Sequence, residues 1–355
     1  MIEVLRYGDR EEWQQALRAV GADDVFFSPD YLKINELITD GEAECLVWRR
    51  GDSLVVYPYI RRPIEGSPWL DITSAYGFGG YMKFPRHADF VEFDEAFCAY
   101  CRQNGIVSEF IRFHPLYDNH SFVEHRRLRV TYHQPVVYAD FSRDGFAFAR
   151  TIKKEGWKKI RKAVKHGMEV VADAAGEFYP QFVSLYEHTM DFKQASSFYY
   201  FGDVFFESLK NRLSTHSVLF VALHREEMVG GLLVLFSGSA AYNFLSCSDY
   251  EHNGLGTNDL LQFKAMEWAH DRGLQGLLLG GGNRGEDSLF HFKAKFSPER
   301  RHYYTARRIH LPKHYGSLCR QALQRNGGPG ARRQRAHFPF YRHCQPSSNT
   351  RCYED

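Results

Sequence analysis

The sequence lacks long apolar runs. No apolar stretch reaches the roughly 18 residues that carry a helix across a bilayer. The chain starts MIEVLR and continues with acidic and basic residues, so it has none of the apolar core of a secretory signal peptide. These absences predict a protein with no integral membrane segment, and we expect it in the cytoplasm.

An excess of one charge and an ordered set of cysteines are also missing. The 45 Lys and Arg residues nearly balance the 43 Asp and Glu, for a net charge of +2. A generally cationic nucleic-acid binder is therefore excluded, and an anionic partner would have to meet a local patch. Seven scattered cysteines indicate reduced thiols and not a disulfide framework. Cys98 and Cys101 form a CxxC without a second pair, so no tetrahedral metal site is expected.

Several catalytic signatures are absent. There is no HExxH and no GxSxG, which leaves zinc peptidases and α/β-hydrolases without support. No GxGxxG follows a predicted strand. Gly280 and Gly285 have the spacing of a Walker loop, but Glu286 stands where that loop needs its lysine. The glycines at 280–282 still follow a predicted strand, where α/β proteins place ligands, so they indicate either a ligand turn or a plain flexible turn.

What is present is enough apolar material for two domains. The 355 residues are 44% hydrophobic and 15% aromatic, the balance of a globular protein longer than one ordinary domain. Periodicity and turn residues predict helices at 9–20, 28–38, 90–103, 144–165, 177–190, 203–213, 258–271 and 289–296. They predict strands at 44–50, 53–61, 69–73, 107–113, 136–141, 217–223, 228–236, 240–245 and 274–279.

The two halves of this pattern repeat each other. Residues 46–56 and 221–230 both read as strand, charged turn and strand, and helices that stop at Gly105 and Gly273 both lead into a strand. We predict an α/β protein made of two tandem domains, 1–143 and 144–325, each a mixed, mostly antiparallel sheet flanked by helices. Residues 326–355 are predicted to be a flexible basic tail. The order of elements resembles that of the GNAT acyltransferases.

The strongest local signal is a basic segment at 150–165, which has eight Lys or Arg in sixteen positions. Its apolar residues share one helical face. Two interpretations remain open, a solvated helix face or a surface that binds phosphate on a nucleic acid or a pyrophosphate-bearing ligand.

The acetyl-CoA loop of GNAT enzymes has Gln or Arg, two residues, Gly, one residue, then Gly or Ala, and opens a helix. Residues 251–256, EHNGLG, precede the helix predicted at 258–271. The glycines match, but Glu251 replaces the first residue of the pattern. A carboxylate at this position argues against a CoA pyrophosphate site, although helix-terminal amides could still bind phosphate.

Several segments together resemble the Fem-type aminoacyltransferases, peptidoglycan-bridge enzymes with two GNAT-like domains. They are WKKIRKAVKHGMEV at 157–170, LGG at 279–281, DSLFHFKAKF at 287–296, SPDY at 28–31 and FIRFHP at 110–115. The resemblance covers roughly 25–310. No heptad insertion is present, so the resemblance implies a compact form without the coiled-coil arm of larger members.

The resemblance implies peptide-bond formation from aminoacyl-tRNA, a co-substrate, with no metal or other cofactor. Lys293 would neutralise charge near the reacting ester or the terminal phosphate, and Phe292 would shape the pocket. Glu286 and Asp287 are weak acid–base candidates, and a general base is not required. The basic helix would bind the phosphates of the tRNA acceptor stem or of a nucleotide-linked acceptor. Candidate substrate- or phosphate-binding residues are Lys158, Lys159, Arg161, Lys162, Lys165, Tyr31, Lys33, Gly281 and Gly282.

Three functions remain open at this point. The first is an aminoacyl-tRNA-dependent transferase acting on an amino group of a peptide-like acceptor, either a cell-wall precursor or a specialised-metabolite (antibiotic-type) peptide. The second is a GNAT N-acyltransferase that uses acyl-CoA on an amino sugar or amine. The third is a non-catalytic nucleic-acid-binding module. The amino acid transferred, the acceptor and the oligomeric state do not follow from the sequence.

Overall fold

The computed structural model describes residues 1–85, 90–123, 128–142, 147–252, 254–325 and 338–342. The helices in these ranges are α1 Arg10–Ala19, α2 Pro29–Thr39, α3 Val91–Gln103, α4 Ala147–Thr151, α5 Lys154–Lys165, α6 Tyr179–Phe192, α7 Asp203–Arg212, α8 Thr257–Asp271, α9 Ser288–Lys293 and α10 Pro312–Arg325. The strands are β1 Ile2–Leu5, β2 Glu42–Arg50, β3 Ser53–Pro63, β4 Leu70–Thr73, β5 Met82–Phe84, β6 Ile106–Arg112, β7 Arg129–Asp140, β8 Met168–Asp173, β9 Ser217–His224, β10 Glu227–Ser237, β11 Ala240–Ser248, β12 Gly276–Gly280 and β13 Arg300–Ile309.

The chain is organised as two units that interleave along the sequence. The first contains Met1–Tyr132, Ser196–Phe201 and the described residues from Tyr303 onward, and the second contains His133–Ala195 and Gly202–His302. This differs from the linear division predicted at 143, because residues 196–201 and 303–325 pack with the first unit. Non-local packing of this kind leaves no local signal in the sequence.

The first unit is built on the strand order β1, β2, β3, β4, β6, β13, with β5 paired to β3. Only β4 and β6 run parallel; the other neighbours are antiparallel. Helix α3 crosses between β5 and β6 and contributes Phe93 and Phe97 to a core shared with Trp48, Tyr57 and Tyr81. Ser28 begins α2 as predicted, because its hydroxyl accepts the backbone N–H of Tyr31 at 3.2 Å.

A buried carboxylate holds a segment near the C-terminus to the first unit. Asp71 of β4 pairs with Arg62 at 2.8 Å and with Arg342 at 2.6 Å, and it accepts the Tyr341 hydroxyl at 2.9 Å. Residues 338–342 are therefore fixed, unlike the flexible tail predicted for 326–355. The rest of that predicted tail lies outside the described residues.

The second unit repeats the plan with the strand order β7, β12, β11, β10, β9, β8. Only β11 and β12 run parallel. Helix α8 connects these two strands, and α3 holds the corresponding place before β6 in the first unit. Helices α5 and α8 bury Ile160, Ala163, Leu261 and Met266 in one core. The α/β class with mixed, mostly antiparallel sheets is thus confirmed. The longest helix in the described ranges, α8, has 15 residues.

The segment predicted as one helix at 144–165 is two helices in the described residues. The break falls at Lys153, whose backbone N–H bonds to the carbonyl of Lys295 at 2.8 Å instead of continuing α4. Strands β8 and β13 and helix α10 were not predicted. Strand β8 is largely exposed, and β13 carries four arginines among ten residues, so neither shows the apolar alternation by which a strand is recognised.

Candidate active site

The end of β12 forms a tight glycine turn. Gly280 has a φ of +84°, which favours glycine. A Cβ on Gly281 would lie 2.6 Å from the Gln134 amide nitrogen, and one on Gly282 would lie 2.2 Å from a carboxylate oxygen of Asp287. Gln134 also donates to the Gly282 carbonyl at 3.1 Å. The turn therefore needs its glycines because side chains pack directly against its backbone.

Asp287 fixes the other end of this loop. One carboxylate oxygen accepts the backbone N–H of Phe290 at 3.0 Å, and the other accepts those of Asn283 and Arg284 at 2.9 and 3.2 Å. Asp287 is thus the N-cap of α9, and these amides lower its pKa, that of Phe290 most strongly. These hydrogen bonds give Asp287 a structural role in holding the loop. Glu286 is exposed beside it.

Lys293 reaches back from α9 into the glycine turn. Its ammonium donates to the Gly281 carbonyl at 2.7 Å. Burial lowers the pKa of Lys293 to about 8; Asp287 acts in the opposite direction, and the nearby Lys193 adds to the lowering. A lysine with a lowered pKa beside a ligand-type turn is a functional-site signal. Phe292 is half-buried with its ring 5.5 Å from that of Phe296.

The basic helix α5 starts next to this segment. Two hydrogen bonds join the residues just before α5 to those just after α9. The backbone N–H of Lys153 donates to the Lys295 carbonyl, and the Thr151 hydroxyl at the end of α4 donates to the Phe296 carbonyl at 3.1 Å. Trp157 packs at 5.1 Å from Phe263 and donates to the Ala149 carbonyl. The exposed side chains of α5 include Glu155, Val164 and six cations, of which five lie beyond its first turn: Lys158, Lys159, Arg161, Lys162 and Lys165.

These five cations have no ion-pair partner within the described ranges. The hydrogen bonds of Lys153 and Thr151 also make the basic helix a neighbour of the segment that carries Lys293. The sequence had singled out these two features separately.

The amino end of α8 is covered by α5. Gly256, the N-cap of α8, has a φ of +94°, and a Cβ there would lie 2.3 Å from the carbonyl oxygen of Lys159. Asp259 occupies the first turn of α8 and pairs with Lys295 at 2.5 Å. Burial raises the pKa of Asp259, and Lys295 acts in the opposite direction. The backbone of α5 thus lies close against Gly256, and a carboxylate stands in the first turn of α8, where an anion would otherwise be favoured.

Comparisons with known proteins bear on the whole fold. Residues 150–294 match the family model of the acetyltransferase (GNAT) domain. The structure is similar to that of FemX, with a TM-score of 0.64 and 13% identity over 89% of this chain and 99% of that one. The protein has a Fem-type, GNAT-like fold.

Two further structures are similar to this Fem-type fold. One is the C-terminal domain of a putative lysylphosphatidylglycerol synthetase from Agrobacterium fabrum, with a TM-score of 0.56 and 11% identity over 84% of this chain and 91% of that one. The other is L-PGS from Bacillus licheniformis, with a TM-score of 0.51 and 14% identity over 86% and 93%. No curated protein matches the sequence. The match of residues 150–294 to the acetyltransferase domain model supports an acyltransferase.

Two residues that the sequence predicted to bind substrate, Tyr31 and Lys33, lie in the first unit and contact neighbouring side chains or backbone there. Tyr31 is fully buried, and its hydroxyl donates to the Tyr76 carbonyl at 2.5 Å, so its side chain offers no surface to a ligand. Lys33 pairs with Glu36 at 2.5 Å and lies 5.8 Å from the Tyr7 ring.

Sequence reasoning missed Gln134, Lys193, Asp259 and Lys295. Of these, only Lys295 was within a quoted motif. In the described part of the chain, no group of three metal-ligating side chains is present and no helix has the length and apolar character to span a membrane.

Proposed function

We propose that this protein is an aminoacyltransferase that moves an aminoacyl group from aminoacyl-tRNA to the amino group of a peptide-like acceptor. The acyl-transfer part of this proposal is supported by the GNAT domain match and by the fold. The tRNA donor and the acceptor are inferences from the chemistry of the second unit.

The observation that carries the choice of donor is the covered amino end of α8. Gly256 lies against the backbone of α5, and Asp259 already places a negative charge in the first turn. A CoA pyrophosphate at this end would have to displace the backbone of α5, and it would compete with Asp259 for Lys295. A donor whose phosphates contact exposed lysines on α5 avoids this conflict.

The exposed face of α5 suits the backbone of an RNA acceptor stem. Lys158 and Lys162 lie one helical turn apart, as do Arg161 and Lys165. Double-stranded RNA is recognised largely through its shape and backbone, and cationic contacts with phosphates supply affinity without sequence specificity. Since α5 begins beside α9, a stem held by α5 would bring its terminal ester toward Lys293.

The proposed reaction is the aminolysis of an ester. The acceptor nitrogen attacks the ester carbonyl, a C–N bond forms, the C–O bond to the terminal ribose breaks, and the proton lost by the amine ends on the released hydroxyl. In its ammonium form, Lys293 would donate a hydrogen bond to the oxygen that gains charge, or neutralise the adjacent phosphate. The conversion of an ester to an amide is downhill, so no energy-rich cofactor is needed for this step.

The donor is tested by supplying each radiolabelled aminoacyl-tRNA in turn with a small-molecule amine fraction. We expect label to move from one or a few of these tRNAs to the small-molecule fraction when the protein is present. Treatment of the charged tRNA with RNase before addition should abolish this transfer. Transfer that survives RNase would rule out the tRNA donor.

The second candidate, an acyl-CoA-dependent N-acyltransferase, is favoured by the GNAT match over 150–294. It predicts that calorimetry detects CoA binding to the purified protein. Micromolar CoA binding combined with no transfer from any tRNA would favour it over the first candidate. Binding of tRNA without any transfer would instead indicate a nucleic-acid-binding module.

The basic helix gives a prediction on salt dependence. The double substitution Lys158→Gln and Lys162→Gln should raise KM for aminoacyl-tRNA and flatten the dependence of log KM on log salt concentration by roughly 1 for each phosphate that is no longer neutralised. Lys264→Gln is the matched control, because Lys264 is a partly exposed lysine of α8 in the same unit that pairs with Glu267. A salt dependence unchanged in the double variant would contradict the phosphate-binding role.

The lowered pKa of Lys293 gives a prediction on pH. Its value of about 8 means that the ammonium form dominates below this pH and is lost above it. If the ammonium is required, kcat should fall as pH rises through about 8. Lys293→Arg retains its charge at that pH, so whatever activity it keeps should not show this decline. The same basic limb in both proteins would assign the titration to another group.

A further inference from the structure

Charge is distributed unevenly along this chain. Residues 300–353 contain twelve Lys and Arg residues and no Asp or Glu. Since the whole chain has 45 basic and 43 acidic residues, the remainder has 33 basic residues against all 43 acidic ones. The net charge of +2 therefore conceals a strongly basic stretch within an otherwise acidic chain. A local excess of this size attracts polyanions.

Part of this positive charge is neutralised within the first unit. Arg308 pairs with Asp94 and Arg342 pairs with Asp71, both at 2.6 Å. The other Lys and Arg residues of this stretch that belong to the described part of the first unit form no ion pair with a described carboxylate. They are Arg307, Lys313, Arg320 and Arg325. Three of these four lie on α10, so this helix carries most of the charge that is left without a partner.

Helix α10 is held to the first unit by its apolar face. Leu318 is buried in a small core with Ile64 and Val107. The Tyr315 ring stacks on that of Phe338 at 5.8 Å. The apolar side of the helix is therefore used for packing within the unit.

The opposite face of α10 is polar. Periodicity places five side chains on it, at positions i, i+4, i+7, i+8 and i+11, which are Lys313, Ser317, Arg320, Gln321 and Gln324. All of them except Ser317 are exposed, and α10 has no Asp or Glu. Lys313 and Arg320 are two turns apart, about 10 Å along the helix axis, so each can contact a different phosphate. Gln and Ser side chains are uncharged donors to phosphate oxygens.

The distribution of apolar residues on α10 distinguishes between two anionic partners. A helix that lies on a membrane needs a free apolar face beside its cations. Of the leucines and tyrosine of α10, only Leu323 is exposed, at 36%. An RNA backbone is bound through cations and hydrogen-bond donors and needs no apolar face. The observations therefore favour RNA over a lipid surface.

We propose that the exposed face of α10 is an RNA-binding surface of the first unit, at which Lys313 and Arg320 hold the phosphate backbone of a tRNA. The inference rests on the proposed function in taking tRNA as the RNA, but it concerns a helix of the other unit from α5. Contacts with phosphates carry no sequence information, so we expect this surface to add affinity without selecting among tRNA species.

The test is the binding of deacylated tRNA to the full chain, followed by fluorescence anisotropy over a range of salt concentrations. The double substitution Lys313→Gln and Arg320→Gln should raise Kd about 10- to 60-fold near 0.1 M salt. It should also flatten the dependence of log Kd on log salt concentration by roughly 1 for each lost phosphate contact. Both side chains are exposed, so the melting temperature should stay close to that of the wild type.

A control variant and a second probe make the result specific. Arg50→Gln removes an exposed arginine of the first unit that pairs with Glu92, and it should bind tRNA as the wild type does. Vesicles of phosphatidylglycerol and phosphatidylcholine are the second probe, read by flotation. Vesicle binding that the α10 double variant loses, with its tRNA binding unchanged, would assign the surface to a membrane and overturn the proposal.

The outcomes also separate this inference from the proposed function. A wild-type Kd and salt dependence in the folded α10 double variant would overturn the RNA-binding surface even if label moves from aminoacyl-tRNA to an acceptor. Weaker tRNA binding by that variant, together with no transfer from any aminoacyl-tRNA, would support the surface while the proposed donor fails. A wild-type protein that binds no tRNA would overturn the surface outright.

Discussion

Replacing Lys293 with Met is expected to lower kcat for aminoacyl transfer by about 10²- to 10³-fold, the usual effect of removing a donor that stabilises developing negative charge. Methionine has a similar length and tolerates the partly buried position, so the change removes the charge with little loss of packing. The measurement is the initial rate of label transfer from charged tRNA at saturating acceptor.

The same variant also loses the 2.7 Å bond to the Gly281 carbonyl, so a structural effect must be separated from a chemical one. Thermal unfolding and KM for aminoacyl-tRNA address this. A chemical role predicts a lower kcat with nearly unchanged KM and melting temperature. Lys264→Met is the control for the loss of a lysine elsewhere in the unit. A folded Lys293→Met protein with wild-type kcat would contradict the role assigned to Lys293.

Substituting Gly256 with Ala is expected to destabilise the second unit by about 2–5 kcal/mol, from the strain of a positive φ together with overpacking. The added methyl group would approach the Lys159 carbonyl to 2.3 Å in a backbone with a φ of +94°. Because that contact is with backbone, α5 itself has to move. The measurement is the free energy of unfolding in denaturant, together with KM for aminoacyl-tRNA.

Gly254→Ala is a matched control for this prediction. Gly254 has nearly the same φ, +92°, but a Cβ there meets nothing within 4 Å. It should show only the backbone strain, about 1–2 kcal/mol. The difference between the two variants measures the contact between α5 and the amino end of α8. Equal destabilisation by both substitutions would mean that α5 does not press on Gly256, which would remove the main argument against a CoA pyrophosphate at this position.

Much of the fold follows from local signals that the sequence displays. Ser28 and Pro29 start α2, and Gly105 and Gly273 follow the ends of helices. The short apolar runs of β2, β3, β9 and β10 are equally plain. These signals are sufficient for the α/β class and for the repeated plan. Elements whose residues are polar, such as β13, do not show them, because their stability comes from pairing with distant strands and not from their own periodicity.

The sequence by itself determined that a basic amphipathic helix, a glycine turn and a lysine within a Phe-Lys segment exist, since each is encoded by neighbouring residues. Only the tertiary structure decided that α5 and α9 meet through the Lys153–Lys295 bond, that α5 covers the start of α8, and that Tyr31 supports Tyr76. Burial and electrostatic pairing depend on residues far apart in the chain, and periodicity and spacing carry no record of such distances.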